Sequence, residues 1–233
     1  MLLEGLGGDI PGWRRNIPHL ARHLRVVAYD LRGNGRSTMP DEPITMQTLV
    51  DDTLALVDAL GIDRASFYGQ SFGGMIAQQL ALTHPERVRA LVLAATHAGG
   101  DHVVPVPDER RTVPKDRPWL TLYAPGFAEA NPEHVADDLR CASAQTKHAA
   151  RRQWEAMRGF DSWGRLPELR APTLVVHGAE DRLIDPGNAQ VLADRIPGAQ
   201  LAILDGAGHV YHSEQADRAD EIVLDFLHAH ADA

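Results

Sequence analysis

Ala65-Ser66-Phe67-Tyr68-Gly69-Gln70-Ser71-Phe72-Gly73-Gly74-Met75 leads an apolar run into a glycine–serine–glycine turn and out into a helical stretch. Gly69 to Gly73 has the spacing G-x-S-x-G. In a strand–turn–helix elbow the serine sits on a tight, strained turn, so that its hydroxyl projects past the end of the sheet. Side chains at positions 69 and 73 would crowd the neighbouring strand and helix, which explains glycine at both. A helix that starts just after the serine aims its N-terminus, and free backbone N–H groups, at negative charge developing there.

A serine alcohol is a weak nucleophile at neutral pH. It needs a base, and the base needs an acid to orient it. Elbow sites of this kind carry the three in the chain order serine, acid, histidine. Asp181 follows the apolar run Thr173 to His177, in His177-Gly178-Ala179-Glu180-Asp181. An acid just past the carboxyl end of a strand shares the sheet edge with the elbow. Glu180 and Asp185 are its competitors and are expected to be solvated. His209 lies in Asp205-Gly206-Ala207-Gly208-His209, past the last apolar run, where glycines let the loop turn inward. His212 is its rival, and His177 reads as structural at a strand end.

Outward from the elbow, short apolar runs alternate with amphipathic ones. Arg25–Asp30, Ala65–Gly69, Ala90–Ala95, Thr173–His177 and Gln200–Leu204 read as buried parallel strands. Leu49, Thr53, Leu56, Val57 and Leu60 share a helical face closed by Gly61. Gly73–Leu82 and the stretch around Ile222, Val223, Phe226 and Leu227 are also helical. This order predicts an α/β fold, a mostly parallel sheet with helices on both faces. Residues 97–166 break the rhythm with a proline-rich start and no good strand. They read as a helical lid inserted in a core made of 1–96 and 167–233; two ordinary crossover helices with a long loop are the alternative. The lid aromatics Trp119, Tyr123, Phe127 and Trp154 are the candidate substrate-binding residues.

Taken together, these residues resemble the α/β-hydrolase superfamily over nearly the whole chain. Asp30-Leu31-Arg32-Gly33-Asn34-Gly35-Arg36-Ser37 is similar to its D-x-R-G-x-G-x-S loop, and His84-Pro85-Glu86-Arg87-Val88 to its H-P-E-R-V turn. Asp181 with Pro186, and His209 with Glu214, match its acid and histidine loops. Around Ser71 the wording is close to 3-oxoadipate enol-lactonases and related esterases. The resemblance implies a catalytic triad of Ser71, Asp181 and His209, and an oxyanion hole at the backbone N–H groups of Leu6 and Phe72. It also shows a departure: Glu4-Gly5-Leu6-Gly7-Gly8 stands where the family has a His-Gly pair. Two further strands normally come before this point. The expectation is that an oligomer contact or a local rearrangement covers the Arg25–Asp30 edge, because an apolar unpaired edge invites association.

The 233 residues suit one domain of this kind, and 44% hydrophobic with 24% charged residues is ordinary for a folded globular chain. The net charge of −9 argues against nucleic acid and anionic membranes as partners. No basic leader with an apolar core precedes Glu4, and no run is long enough for a membrane span, so a cytoplasmic location is expected. Cys141 is the only cysteine and reads as a small buried or half-buried residue; the twelve histidines form no H-E-x-x-H pair, and no metal or organic cofactor is implied. The expected activity is acyl transfer to Ser71 and hydrolysis of a small carboxylic ester or lactone. C–C bond hydrolysis, cofactor-free haloperoxidase or acyltransferase chemistry is the alternative within enzymes. A non-catalytic, hydrolase-like ligand-binding protein is the alternative of another class.

Overall fold

The computed structural model describes residues 1–231. Its sheet has five parallel strands in sequence order: β1 (Leu2–Leu3), β2 (Ala65–Gln70), β3 (Val88–Ala94), β4 (Thr173–Gly178) and β5 (Gln200–Leu204). Parallel neighbours need crossovers. The helices Met46–Ala59, Phe72–Thr83, Gly187–Arg195 and Ala216–Ala229 supply the apolar faces that cover the sheet.

Strand alternation sorts the core into two layers. Phe67, Leu91, Leu93 and Val175 point to the side packed by Leu49, Val57, Met75, Ile76, Leu80 and Leu192. Tyr68, Val92, Ala94, Leu174 and Val176 point to the side packed by Trp13, Leu20, Tyr211, Val223 and Phe226. Successive side chains of a strand face opposite ways, so β2, β3 and β4 are buried on both sides. Gln200–Leu204, read as buried as well, is corrected: β5 is the last strand of the sheet, and Leu201 and Ile203 are exposed. Thr45 and Thr48 form a capping box at the start of the Met46–Ala59 helix. Gly61, at φ +64°, ends it as expected.

One expected strand is corrected. Arg25–Asp30 forms no ladder strand; it touches the sheet through a single parallel bridge, Leu2 to Ala28, with Leu2 N–H donating to Val27 O at 2.8 Å. The cause is the partner's shortness. β1 pairs only Leu2 and Leu3 with β2, so little ladder exists to extend. Val26 and Val27 instead help to line a cavity of about 290 Å³ with Met1, Leu24, Phe67 and Leu227. It lies at the end of the sheet opposite the elbow.

Residues between β3 and β4 hold short helices, among them Pro132–Cys141 and Lys147–Arg158, and no ladder strand. Arg182 reaches from the loop after β4 to the carbonyls of Leu120 and Tyr123, at 2.6 and 3.0 Å. Val210 N–H donates to Leu122 O at 3.0 Å. This segment is thus tied to the loops at the carboxyl edge of the sheet. Cys141 is a free, half-buried thiol.

Candidate active site

β2 ends at Gln70, and the helix that begins at Phe72 leaves Ser71 alone in the turn. Ser71 has φ 52° and ψ −115°, a backbone conformation that side-chain-bearing residues rarely adopt. Three contacts hold it there. Ser71 N–H donates to Ala94 O and Thr96 Oγ1 donates to Ser71 O, each at 2.8 Å, and Gly74 N–H donates to Ser71 O at 2.9 Å. The elbow glycines are required sterically. A Cβ on Gly69 would run into the carbonyl of Gly73, and a Cβ on Gly73 into the carbonyl of Leu3.

Asp181 and His209 come from the loops after β4 and β5 and meet as the sequence suggests. His209 Nδ1 lies 2.8 Å from Asp181 Oδ2, with both side chains buried. The other carboxylate oxygen, Oδ1, accepts the N–H groups of Leu183 and Ile184 at 2.8 and 3.0 Å. Burial by itself would raise the Asp181 carboxyl. The charge of His209 and hydrogen bonds from His177 and His209 outweigh it and hold the group well below the usual carboxylate range. No hydrogen bond joins the Ser71 hydroxyl to His209 among the described residues. Their loops are linked through Gln70, whose Nε2 donates to His209 O at 3.3 Å.

The Gly5–Gly12 loop lies against the elbow. A Cβ on Gly5 would stand 3.3 Å from Ser71 Cβ and would strike the Gln70 side chain. Leu6 follows at once and is 38% exposed. Its N–H has no hydrogen-bond acceptor among the described residues. Phe72, as first residue of its helix, has one of the N–H groups that an α-helix leaves without an internal acceptor.

The rivals are placed elsewhere. His212 is buried, stacks on Trp13 with ring centroids 4.7 Å apart, and is pushed down to about 3 by that burial. Glu180 is exposed. Asp185, expected to be solvated, is instead bound: Arg110 Nη1 reaches it at 3.1 Å and Gly187 N–H donates to it at 2.8 Å. Arg110 also donates to the carbonyls of Ala179 and Asp181, at 3.3 and 3.1 Å, and so braces the acid loop.

Of the four aromatics, Trp119, Tyr123 and Phe127 form one series, with Tyr123 and Phe127 stacked at 5.7 Å and Trp119 edge-on to Tyr123. Tyr123 lines a cavity of about 140 Å³ with Glu4, Gly7, Gly8 and Val210, next in chain to Leu6 and His209. Trp154 stands apart. It is 51% exposed on a helix whose buried residues are Ala149, Gln153 and Ala156, and it makes no ring contact among the described residues.

Sequence reasoning missed several supports. Glu214 accepts the N–H groups of Ala124 (2.7 Å) and Gly208, and so fixes the His209 loop to the segment before β4. Its motif match was the available signal. Asn34 and Gln153 give none: Gln145 and Gln153 both donate to Asn34 Oδ1 at 2.8 Å, and Asn34 donates in turn to Gly8 O at 2.5 Å. No group of three His, Cys, Asp or Glu side chains among the described residues could hold a metal ion. Nor is any described helix long and apolar enough to cross a membrane.

This architecture is that of the alpha/beta hydrolase fold family, whose profile matches residues 1–148, and the chain belongs to that family. The putative carbamate hydrolase RutD of Rhizobium rhizogenes is 33% identical over all of this chain and 93% of that protein. The 2-hydroxymuconate semialdehyde hydrolase of Pseudomonas sp. strain CF600 is 34% identical over all of this chain and 87% of that protein. Among solved structures, the enol-lactonase from Burkholderia xenovorans LB400 superposes with a TM-score of 0.86 at 32% identity, covering 97% of this chain and 89% of that chain.

Proposed function

We propose that this α/β hydrolase is a serine hydrolase that cleaves a small carboxylic ester or lactone through an acyl-enzyme on Ser71. The observation that carries the reading is the pairing of a strained serine elbow with a buried Asp181–His209 hydrogen bond of 2.8 Å on the same sheet edge. Asp181 accepts a hydrogen bond from His209 Nδ1–H and stays ionised, so Nε2 is left bare to accept the proton of Ser71 Oγ. The oxygen attacks the carbonyl carbon, and the Leu6 and Phe72 N–H groups receive the oxyanion. His209 then returns its proton to the leaving oxygen. Water repeats the sequence on the acyl-enzyme and frees Ser71.

Residues 97–166 act as the lid over this edge. Their attachment through Arg182, Val210 and Glu214 supports that role. Tyr123, with Trp119 and Phe127 behind it, is the apolar wall for the substrate; Trp154 contributes less, given its exposure. The similarity to carbamate and semialdehyde hydrolases favours a second reading, in which the same triad cleaves a carbamate or a C–C bond beside a ketone.

Hydrolysis of p-nitrophenyl esters of increasing acyl length tests the first reading, with Ser71→Ala as control. Turnover lost in the variant is the expected result. Folded wild-type protein that turns over carbamates or C–C substrates but no ester or lactone would move the assignment to the second.

A further inference from the structure

Glu4 stands where the family resemblance implies histidine, and the structure gives it an unusual setting. It follows β1 directly and is only 7% exposed. Its side chain folds back under the Gly5–Gly12 loop. A Cβ on Gly8 would collide with Glu4 Cγ, and one on Gly12 would stand 3.0 Å from Glu4 Oε2. Those two glycines therefore leave the space that the Glu4 carboxyl fills. Oε2 is buried without a hydrogen-bond partner among the described residues.

The charged and titratable groups around it do not offer a counter-ion. Asp9 faces it with like charge, and Tyr68 and His209 are close enough to interact with it electrostatically. Across the 140 Å³ cavity stand Arg14, Asp138 and His212. Arg14 is already engaged by Asp137 (2.6 Å) and Asp138 and by the carbonyl of Pro11. A carboxylate with one oxygen buried and unpartnered and no counter-ion is costly, whereas the neutral acid is tolerated.

We propose that Glu4 is a positioning residue for the oxyanion loop: as a neutral acid its side chain wedges under Gly8 and Gly12 and keeps the Leu6 N–H beside Ser71. Ionisation places an unpaired negative charge beneath the loop, beside the oxyanion that forms at Ser71. The loop then shifts to let water reach the carboxylate, and the Leu6 donor is withdrawn. Burial, reinforced by Asp9 and opposed by the Gly5 N–H and by His209, pushes the Glu4 carboxyl up to about 7. The change thus falls in the neutral range. This inference rests on the reading of Ser71 as nucleophile and Leu6 as donor.

The test is the rate at which a fluorophosphonate probe labels Ser71, followed across neutral and alkaline pH in the wild type, Glu4→Gln and Glu4→Ala. Losing one oxyanion donor outright costs roughly a hundred- to a thousandfold, so a partial withdrawal reads as a fall of about tenfold in the wild type above neutrality. Glu4→Gln, with the same shape and no charge to gain, loses that fall. Glu4→Ala, which empties the wedge, labels slowly at every pH. A stability arm needs no probe: the wild type loses stability relative to Glu4→Gln as pH rises from about 4.5 to about 7, because the folded state holds the Glu4 proton longer. Identical pH profiles in the wild type and Glu4→Gln, for labelling and for stability, would overturn the inference and leave the serine mechanism standing. A folded wild type unlabelled at every pH would overturn the serine reading, and this one with it.

Discussion

His177 and His209 share one atom: His177 Nε2 and His209 Nδ1 approach Asp181 Oδ2 at 2.9 and 2.8 Å. The same His177 nitrogen is 3.1 Å from Ile184 O, which can only accept. Nε2 must therefore carry a hydrogen, and His177 Nδ1 is buried with no partner among the described residues. With two backbone N–H groups on Oδ1, the Asp181 carboxylate accepts four donors, which fixes both its charge and its orientation. His177 thus supports the proposed acid and does not touch the reacting atoms.

Replacing His177 by phenylalanine keeps a ring in a fully buried site and removes the donor. A hydrogen bond to a charged group contributes about 1.5–3 kcal/mol. Stability by urea unfolding is expected to fall by about that amount, and kcat to fall by roughly tenfold with KM nearly unchanged. A variant as active and as stable as the wild type would show that His209 and the two backbone donors hold Asp181 alone.

Asp181→Asn tests the acid itself. The amide oxygen can satisfy Leu183 and Ile184 only by turning its NH2 toward the two imidazoles. His209 would then have to accept at Nδ1 and carry its proton at Nε2, the wrong tautomer for removing the serine proton. On the proposed mechanism kcat drops by about four orders of magnitude while the fold is kept. Equal activity in the variant, measured on an ester that the wild type hydrolyses, would remove Asp181 from the mechanism.

The elbow gives a steric prediction. Gly69 and Gly73 have no room for a methyl group, because the atoms in the way are main-chain carbonyls that cannot rotate aside. Gly69→Ala forces β2 and the following helix apart at Ser71, and Gly73→Ala forces that helix away from Leu3 of β1; overpacking of this kind costs about 1–3 kcal/mol. Thermal unfolding should report that loss together with reduced labelling of Ser71. Wild-type stability in both variants would mean that the turn is looser than this packing allows.

These residues also show what the sequence could and could not convey. Strand–elbow–helix, the acid after β4 and the histidine after β5 are local patterns, so Ser71, Asp181 and His209 can be nominated from the sequence; the structure adds that Asp181 and His209 meet. The Arg25–Asp30 misreading had another source: its apolar pattern is genuine, but a ladder needs a partner strand, and β1 pairs only two residues. Asp185 looked solvated because Arg110, its partner, is 75 residues away in the chain. His177, Glu214 and the buried wedge of Glu4 are likewise products of tertiary packing between distant loops. Single-residue chemistry announces none of them.

The last prediction concerns acid stability and turns on His212. Its ring is buried against Trp13, its Nδ1 has no partner among the described residues, and burial pushes it from 6.5 down to about 3. Between those values the unfolded chain binds a proton at this site that the folded chain refuses. Stability therefore rises with pH across the window and is lost as pH falls from about 6.5 toward about 3. His97, pushed down to about 4, adds to the same slope. Glu4 and Glu214, both raised to about 7, and Asp220, raised to about 6, act with the opposite sign, since the folded chain holds their protons longer. The whole-protein pH curve mixes these effects, so the informative quantity is the difference between the wild type and His212→Phe, which keeps a ring on Trp13 and cannot titrate. Relative to the variant, the wild type should lose stability progressively below about pH 6.5, by at most about 5 kcal/mol at the acid end. Parallel unfolding curves for the two proteins across that range would mean that protonated His212 finds a partner, for which Asp138 on the same cavity wall is the available group.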